Sequence, residues 1–109
     1  MIARLWCAQT TAAQAPAYAE HLRKHVLPAI QAVAGYVAAT LLERPLADAV
    51  EIMVITYWRS EDALRAFAGA DIEGAVLADE AIALLRQYDR RVRHYEVIVQ
   101  DGDVRSSKA

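Results

Sequence analysis

The stretch 50-VEIMVITYW-58 constrains the fold more than any other part of the chain. It is built from β-branched and aromatic residues, the types that suit a pleated strand. Alternate side chains of a strand point to opposite faces, and here both sets are apolar: Ile52 and Val54 oppose Met53 and Ile55. Such a strand needs cover on both faces. Helices of the same chain can supply one cover, and a second copy of the chain is the simplest source of the other.

The flanking sequence provides the rest of such a sheet. Residues 2-IARLWCAQ-9 predict a strand with Ile2, Arg4, Trp6 and Ala8 on one face, Ala3, Leu5 and Cys7 on the other, and Thr10 and Thr11 ending it. From Pro16, apolar residues at Tyr18, Leu22, Val26, Ala29, Ile30 and Val33 keep a helical period. Pro28 predicts a kink or break in that helix, and Gly35 a left-handed cap. Residues 36–44 predict a second strand, joined to 50–58 by the turn 45-PLADA-49. Ser60 then reads as an N-cap, with Glu61 and Asp62 complementing the helix dipole and Ala63, Leu64, Phe67 and Ala68 as the inner stripe. Asp71 and Asp79 read as caps of two short helical pieces, 72–77 and 80–88, before a last strand over 91–99. Strand–helix–strand, twice over, describes an α+β ferredoxin-like βαββαβ sandwich with a four-stranded antiparallel sheet and helices on one face. The expected organisation is a single domain over 1–99 and a disordered tail over 100–109.

Composition sharpens the partner question. Of the 109 residues 56% are hydrophobic, many of them alanine; alanine helices bury little area each, so a homodimer interface is expected to supply more. The net charge of −2 comes with interspersed signs, and the one basic cluster, 86-RQYDRRVRH-94, is interrupted by Asp89 and reads as a solvated strand entrance. No nucleic-acid partner is expected. Cys7, the only cysteine, excludes an intrachain disulfide and a cysteine-rich metal knuckle. There is no signal-peptide pattern and no apolar run of the roughly 20 residues a membrane span needs. The expectation is a cytoplasmic protein with no membrane partner.

The opening IARLW, the helix ending in LPAI, the segment YWRSEDALRAF and the closing HYEV together resemble the antibiotic-biosynthesis-monooxygenase-like family of dimeric α/β-barrel proteins. The resemblance covers about residues 1–99, and its most specific part is the tryptophan ending strand three. It implies a homodimer whose two sheets form a barrel, with a small-molecule pocket between helices and sheet in each subunit. It also implies direct oxidation of electron-rich aromatic substrates by dioxygen, without metal, flavin or other cofactor. In quinone-forming members an asparagine precedes the tryptophan by four residues and a tyrosine follows it by six; around Trp58 those places hold Val54 and Leu64. A haem-degrading branch carries an asparagine on strand one, a tryptophan in the second helix and a histidine soon after it. Those places fall here at or beside Trp6, at Phe67 and at Leu77, so the axial histidine of that branch is missing.

Several residues read as candidates from their positions alone. Trp58 shares a strand face with Val54 and Ile52, and either lines a cavity beneath the following helix or plugs the end of the core. Arg4 and Trp6 share a face of strand one. If the last strand lies antiparallel beside it, Arg4 meets His94 and Glu96, either as a polar anchor for a carboxylate or phenolate with His94 as general base, or as a structural ion pair. His21 and His25 stand four apart on the first helix; with no third ligand nearby they suggest no metal site, but either could reach a pocket as proton acceptor. The reading is a cofactor-independent monooxygenase of a small aromatic or polyketide-like substrate, with Arg4 and His94 as polar groups and Trp58, Trp6, Phe67, Val54 and Leu64 as substrate-binding wall. The alternative is a non-catalytic small-molecule-binding or stress-response protein on the same fold.

Overall fold

The computed structural model describes residues 1–102, and the final seven, most of the expected tail, lie outside the described residues. Nine residues of strand β1 (Ile2–Thr10) run antiparallel along all of β3 (Val50–Trp58), which pairs on its other side with β2 (Tyr36–Pro45). The other side of β1 is taken by two short strands, β4 (Gln87–Tyr88) against Ala8 and Gln9, and β5 (Arg93–Glu96) against Ile2–Leu5. The sheet order is therefore β2-β3-β1 with β4 and β5 sharing the last edge. This is the ferredoxin-like α+β arrangement, with its sheet open.

The expected last strand over 91–99 is thus a correction: the edge is split into Gln87–Tyr88 and Arg93–Glu96, and only the second piece falls within that span. Between its pieces the backbone leaves β1 to bond elsewhere. Ala75 N–H donates to the Arg90 carbonyl at 2.9 Å and Val92 N–H to the Glu73 carbonyl at 2.7 Å. The same bonds overturn the helix expected over 72–77, which is a strap that opens on a turn, bridges from Gly74 to Arg91 and then runs without regular structure. Asp71 opens a turn instead of a helix, its carbonyl accepting from Gly74 N–H at 3.1 Å, and its carboxylate takes both ends of the Arg91 guanidinium at 3.1 Å. The helix expected over 80–88 shrinks to α4 (Asp79–Ile82), because Arg86 N–H is already committed to the Gln9 carbonyl and 87–88 to β4.

Helix α3 (Glu61–Ala68) follows the expected chemistry closely. Ser60 Oγ accepts from the Ala63 N–H at 3.2 Å, and Gly69 ends the helix at φ 85°. Gly35 likewise adopts φ 93° at the end of the first helical segment. A Cβ at Gly35 would lie 2.5 Å from the Ala63 Cβ, so this glycine also permits α3 to close on the entrance to β2.

The first helical segment is neither simply kinked nor broken. It runs as α1 (Ala15–His21), a π-helical turn (Leu22–Val26) and α2 (Leu27–Gln31). Pro28 has no N–H for the Lys24 carbonyl and its ring crowds that oxygen. The chain opens by one residue to accommodate it, with Leu27 N–H reaching the Leu22 carbonyl. This has a positional effect. Apolar residues spaced by four drift about 40° per step around a regular α-helix. The wide turn cancels most of that drift, so Tyr18, Leu22, Val26 and Ile30 all stay over the sheet.

Two clusters form the core under these helices. Trp6, Ala8, Tyr18, Ile52, Ala81 and Val92 fill one end, and Ile30, Trp58, Ala63 and Leu64 the other. Among the described residues no helix covers the sheet's opposite face, which carries Leu5, Cys7, Met53, Ile55 and Tyr57, all half-buried, the two-sided pattern of the β3 sequence realised.

Candidate functional site

A cleft of about 670 Å³, counting the space at its mouth, lies between the sheet and the helices where the two core clusters meet. Its enclosed part is only about 80 Å³, below the roughly 300–1,000 Å³ of small-molecule sites, so a substrate requires the helices and strap to move apart. β1 supplies Arg4 and Trp6, β3 supplies Val54 and Thr56, and α3 supplies Phe67. Tyr18, His21, Leu22, Val26, Leu27 and Ile30 line it from the first helical segment, including the π turn. The strap contributes Ala75–Ala78 and closes one side. The lining is mostly apolar, so its few polar groups carry the chemistry.

Arg4 is the foremost of these. It is 5% exposed, and burial pushes its guanidinium down to about 10, still well above neutrality. Nη1 donates to the Ile72 carbonyl at 2.5 Å and meets His94 Nε2 at 3.0 Å; Nη2 donates to the Gly74 carbonyl at 2.8 Å. The guanidinium also sits 5.4 Å from the centre of the Phe67 ring. Among the described residues no carboxylate pairs with it. Three of five N–H donors are engaged, leaving Nε–H and one Nη2–H uncommitted. A buried cation held only by neutral acceptors costs several kcal/mol unless an anion joins it.

His94 lies opposite Arg4 in the β1–β5 register, as expected, but Glu96 pairs with Ile2 and is exposed. With Arg4 donating into Nε2, the imidazole is neutral and protonated on Nδ1. Burial and then the Arg4 charge hold its pKa below the ordinary histidine value. His94 is absent from the cleft lining and its basic nitrogen is occupied, so it braces Arg4 instead of facing a ligand.

The tryptophans separate. Trp6 lines the cleft, its Nε1 donating to the Asp89 carbonyl at 2.8 Å and its ring stacked on Tyr18 at 6.1 Å. Trp58 is fully buried behind the wall: it stacks on Phe67 at 5.1 Å, meets Tyr36 edge-on at 5.7 Å, and donates from Nε1 to Thr56 Oγ1 at 2.8 Å. Leu64, 1% exposed, lies in the same layer. Of the expected wall, Trp6, Phe67 and Val54 face the cleft while Trp58 and Leu64 support it from behind.

Sequence reasoning left out Tyr18 and Thr56 as site residues and held His21 only as a weak possibility. Tyr18 is 4% exposed and burial pushes its phenol up to about 12, so it is a neutral hydroxyl in the wall. Thr56 has the parity of Trp58, which could have pointed to it. The strap residues had no signal, since their placement rests on carbonyls turned toward Arg4. His21 and His25 rings lie 5.5 Å apart, but among the described residues no cluster of three or more potential ligands holds a metal.

The open antiparallel sheet with helices on one face and a mostly apolar cleft between them places the chain among small ferredoxin-like α+β domains. The chain belongs to the antibiotic biosynthesis monooxygenase family, whose model matches residues 1–75. Among curated proteins none matches the sequence. A Bacillus cereus structure assigned as an antibiotic biosynthesis monooxygenase is similar with a TM-score of 0.64 at 15% identity, over 93% of this chain and 96% of that one. The haem degrader MhuD of Mycobacterium tuberculosis, with two haems in its active site, gives 0.60 at 21% identity over 94% and 100%. The monooxygenase of the ActVA-Orf6 gene of Streptomyces coelicolor, bound to nanaomycin D, gives 0.59 at 20% over 92% of each chain. These likenesses concern the fold. No helix among the described residues is long and apolar enough to cross a membrane.

Proposed function

We propose that this chain is a cofactor-independent monooxygenase that binds a small aromatic or polyketide-like substrate as its phenolate or enolate. The observation that carries this reading is Arg4: a buried cation in an apolar cleft wall, with uncommitted donors and no carboxylate. An oxyanion there receives charge-assisted hydrogen bonds in a poorly hydrated site, where they are strongest. Trp6 and Phe67 suit a flat ring, and His94 and the strap carbonyls hold the guanidinium in place.

The chemistry follows from holding that anion. An anthrone deprotonated to its enolate is electron-rich enough to reduce dioxygen directly. Its CH₂ carbon becomes a ketone, one oxygen atom enters the product, and the other leaves as water with the two hydrogens. Substrate loses four electrons and dioxygen gains them, so no further reductant is needed. The protein contributes ionisation, desolvation and positioning. Oxygen uptake with an anthrone and a hydroquinone tests the reading. Arg4→Met is expected to lower kcat/KM by about 10²-fold; wild-type uptake no faster than the uncatalysed rate would count against it.

A second reading, a ligand-binding protein without turnover, is supported by Val54 and Leu64, aliphatics at places where quinone-forming relatives carry polar groups. Tight binding of the same compounds without oxygen uptake is its signature. Either form would act as a homodimer, with the helix-free sheet face buried against its counterpart.

A further inference from the structure

Among the described residues one buried side-chain nitrogen or oxygen has no hydrogen-bond partner, and it is His21 Nε2. Leaving such a group unsatisfied costs about 1–3 kcal/mol, and native structures do so rarely. His21 is 9% exposed and lines the cleft from the last residue of α1, beside the π turn. It also borders an outer groove with Glu20, Lys24, His25 and Glu80. The nitrogen itself is enclosed, so a ligand in the cleft that His21 lines would meet it after a shift of the ring.

Position relative to Arg4 narrows the ligand class. Between the two stand Trp6, two residues along β1 from Arg4, and Tyr18, whose ring lies 6.1 Å from Trp6 and 6.4 Å from His21. One ligand oxygen therefore does not serve both groups. Resting on the phenolate reading above, we infer that His21 is the proton acceptor and that the substrate carries two conjugated oxygen functions, a hydroxyl at His21 and an electron-withdrawing oxygen at Arg4. The hydroxyl proton passes to Nε2, the O–H electron pair stays on the ligand, and the charge is delocalised through the ring to the oxygen held by Arg4. Hydroxy-anthrones and para-acyl phenols have this layout, whereas phenols without a conjugated acceptor do not.

The groups around His21 are compatible with the transfer. Tyr18 is a neutral phenol at neutral pH, Glu20 is paired with Arg23 and Lys24 at 3.3 Å each, and His25 and Glu80 lie toward the outer groove. The remaining cation facing the cleft is Arg4.

4-Nitrophenol has the required layout and is coloured only as its anion, which makes it the probe. Wild-type protein is expected to bind it as phenolate below the pH at which the unbound probe ionises. With the hydroxyl proton kept on His21 no net proton is exchanged, so the bound phenolate fraction stays flat with pH. In His21→Gln the proton must go to solvent, and the phenolate-to-phenol ratio should rise about tenfold per pH unit. Equal flatness in the variant would overturn the role of His21 and leave the Arg4 reading standing. Bound but colourless probe in the wild type would overturn both. Imidazole ¹⁵N shifts of the unmutated protein give an independent check: probe binding should move His21 to the doubly protonated form, and an unchanged neutral signal with coloured probe bound would again exclude it.

Discussion

At the residue scale, the arrangement around Arg4 shows what sequence position can and cannot reveal. Arg4 and His94 become cross-strand partners from strand parity and topology alone, and the β1–β5 register carries that through. Trp58 illustrates the limit: parity put it on the helix side of the sheet, where it lies, but could not tell whether Phe67 would stand in front of it. His94 also makes the site's resting state sensitive to acid. Its folded pKa is depressed, so between that value and the roughly 6.5 of an unfolded imidazole the unfolded chain binds more protons. Its contribution to stability is complete above the unfolded value and is lost as pH falls through the folded one. Denaturant midpoints taken from neutral to mildly acidic pH should therefore fall more steeply in the wild type than in His94→Gln, which keeps an acceptor for Arg4 but cannot protonate. Parallel slopes would mean that another group carries the dependence.

At the element scale, agreement is best where local chemistry decides and worst where distant partners do. Strand β3 coincides with its expected span, and Ser60 caps α3 as read, because caps and strand patterns act within a few residues. The strap over 72–77 fails as a helix for a tertiary reason. Its carbonyls at Ile72 and Gly74 hold Arg4, and its Glu73 carbonyl and Ala75 N–H bond to the chain between β4 and β5. Nothing within the segment announces those partners. Gly35 sets the join between the first helical segment and β2, and Gly35→Ala combines a left-handed backbone with a Cβ 2.5 Å from that of Ala63. The expected loss of about 2–4 kcal/mol would appear as an earlier denaturant midpoint at unchanged slope; a loss below about 0.5 kcal/mol would mean that α3 shifts aside easily.

At the scale of the whole molecule, the two-sided apolar pattern of β3 remains the feature a lone chain does not satisfy. Helices cover Ile52, Thr56 and Trp58, while Met53, Ile55 and Tyr57 stay half-exposed beside Leu5. Leu42 and Tyr95 extend this surface as exposed large side chains. A contiguous apolar face left open marks an interaction surface. Sedimentation should find a dimer at micromolar concentration, and Ile55→Asp should shift it toward monomer by at least about tenfold in dissociation constant. A monomeric wild type would refute the paired-sheet arrangement. The fold class was legible because alternation and element order are properties of the whole chain. The cleft was less so, because its walls come from segments brought together only by that fold.

The π turn makes residue count itself a determinant of what the cleft recognises. Closing it to a regular α-helix at unchanged length would rotate Tyr18 and His21 by about 100° relative to Leu27 and Ile30, whereas removing one residue as it closed would leave them in place. The rings that meet a ligand would change without any of them being substituted. Among relatives of this chain, a regular helix of the same length at this point would therefore mark a change of substrate more faithfully than many substitutions in the wall.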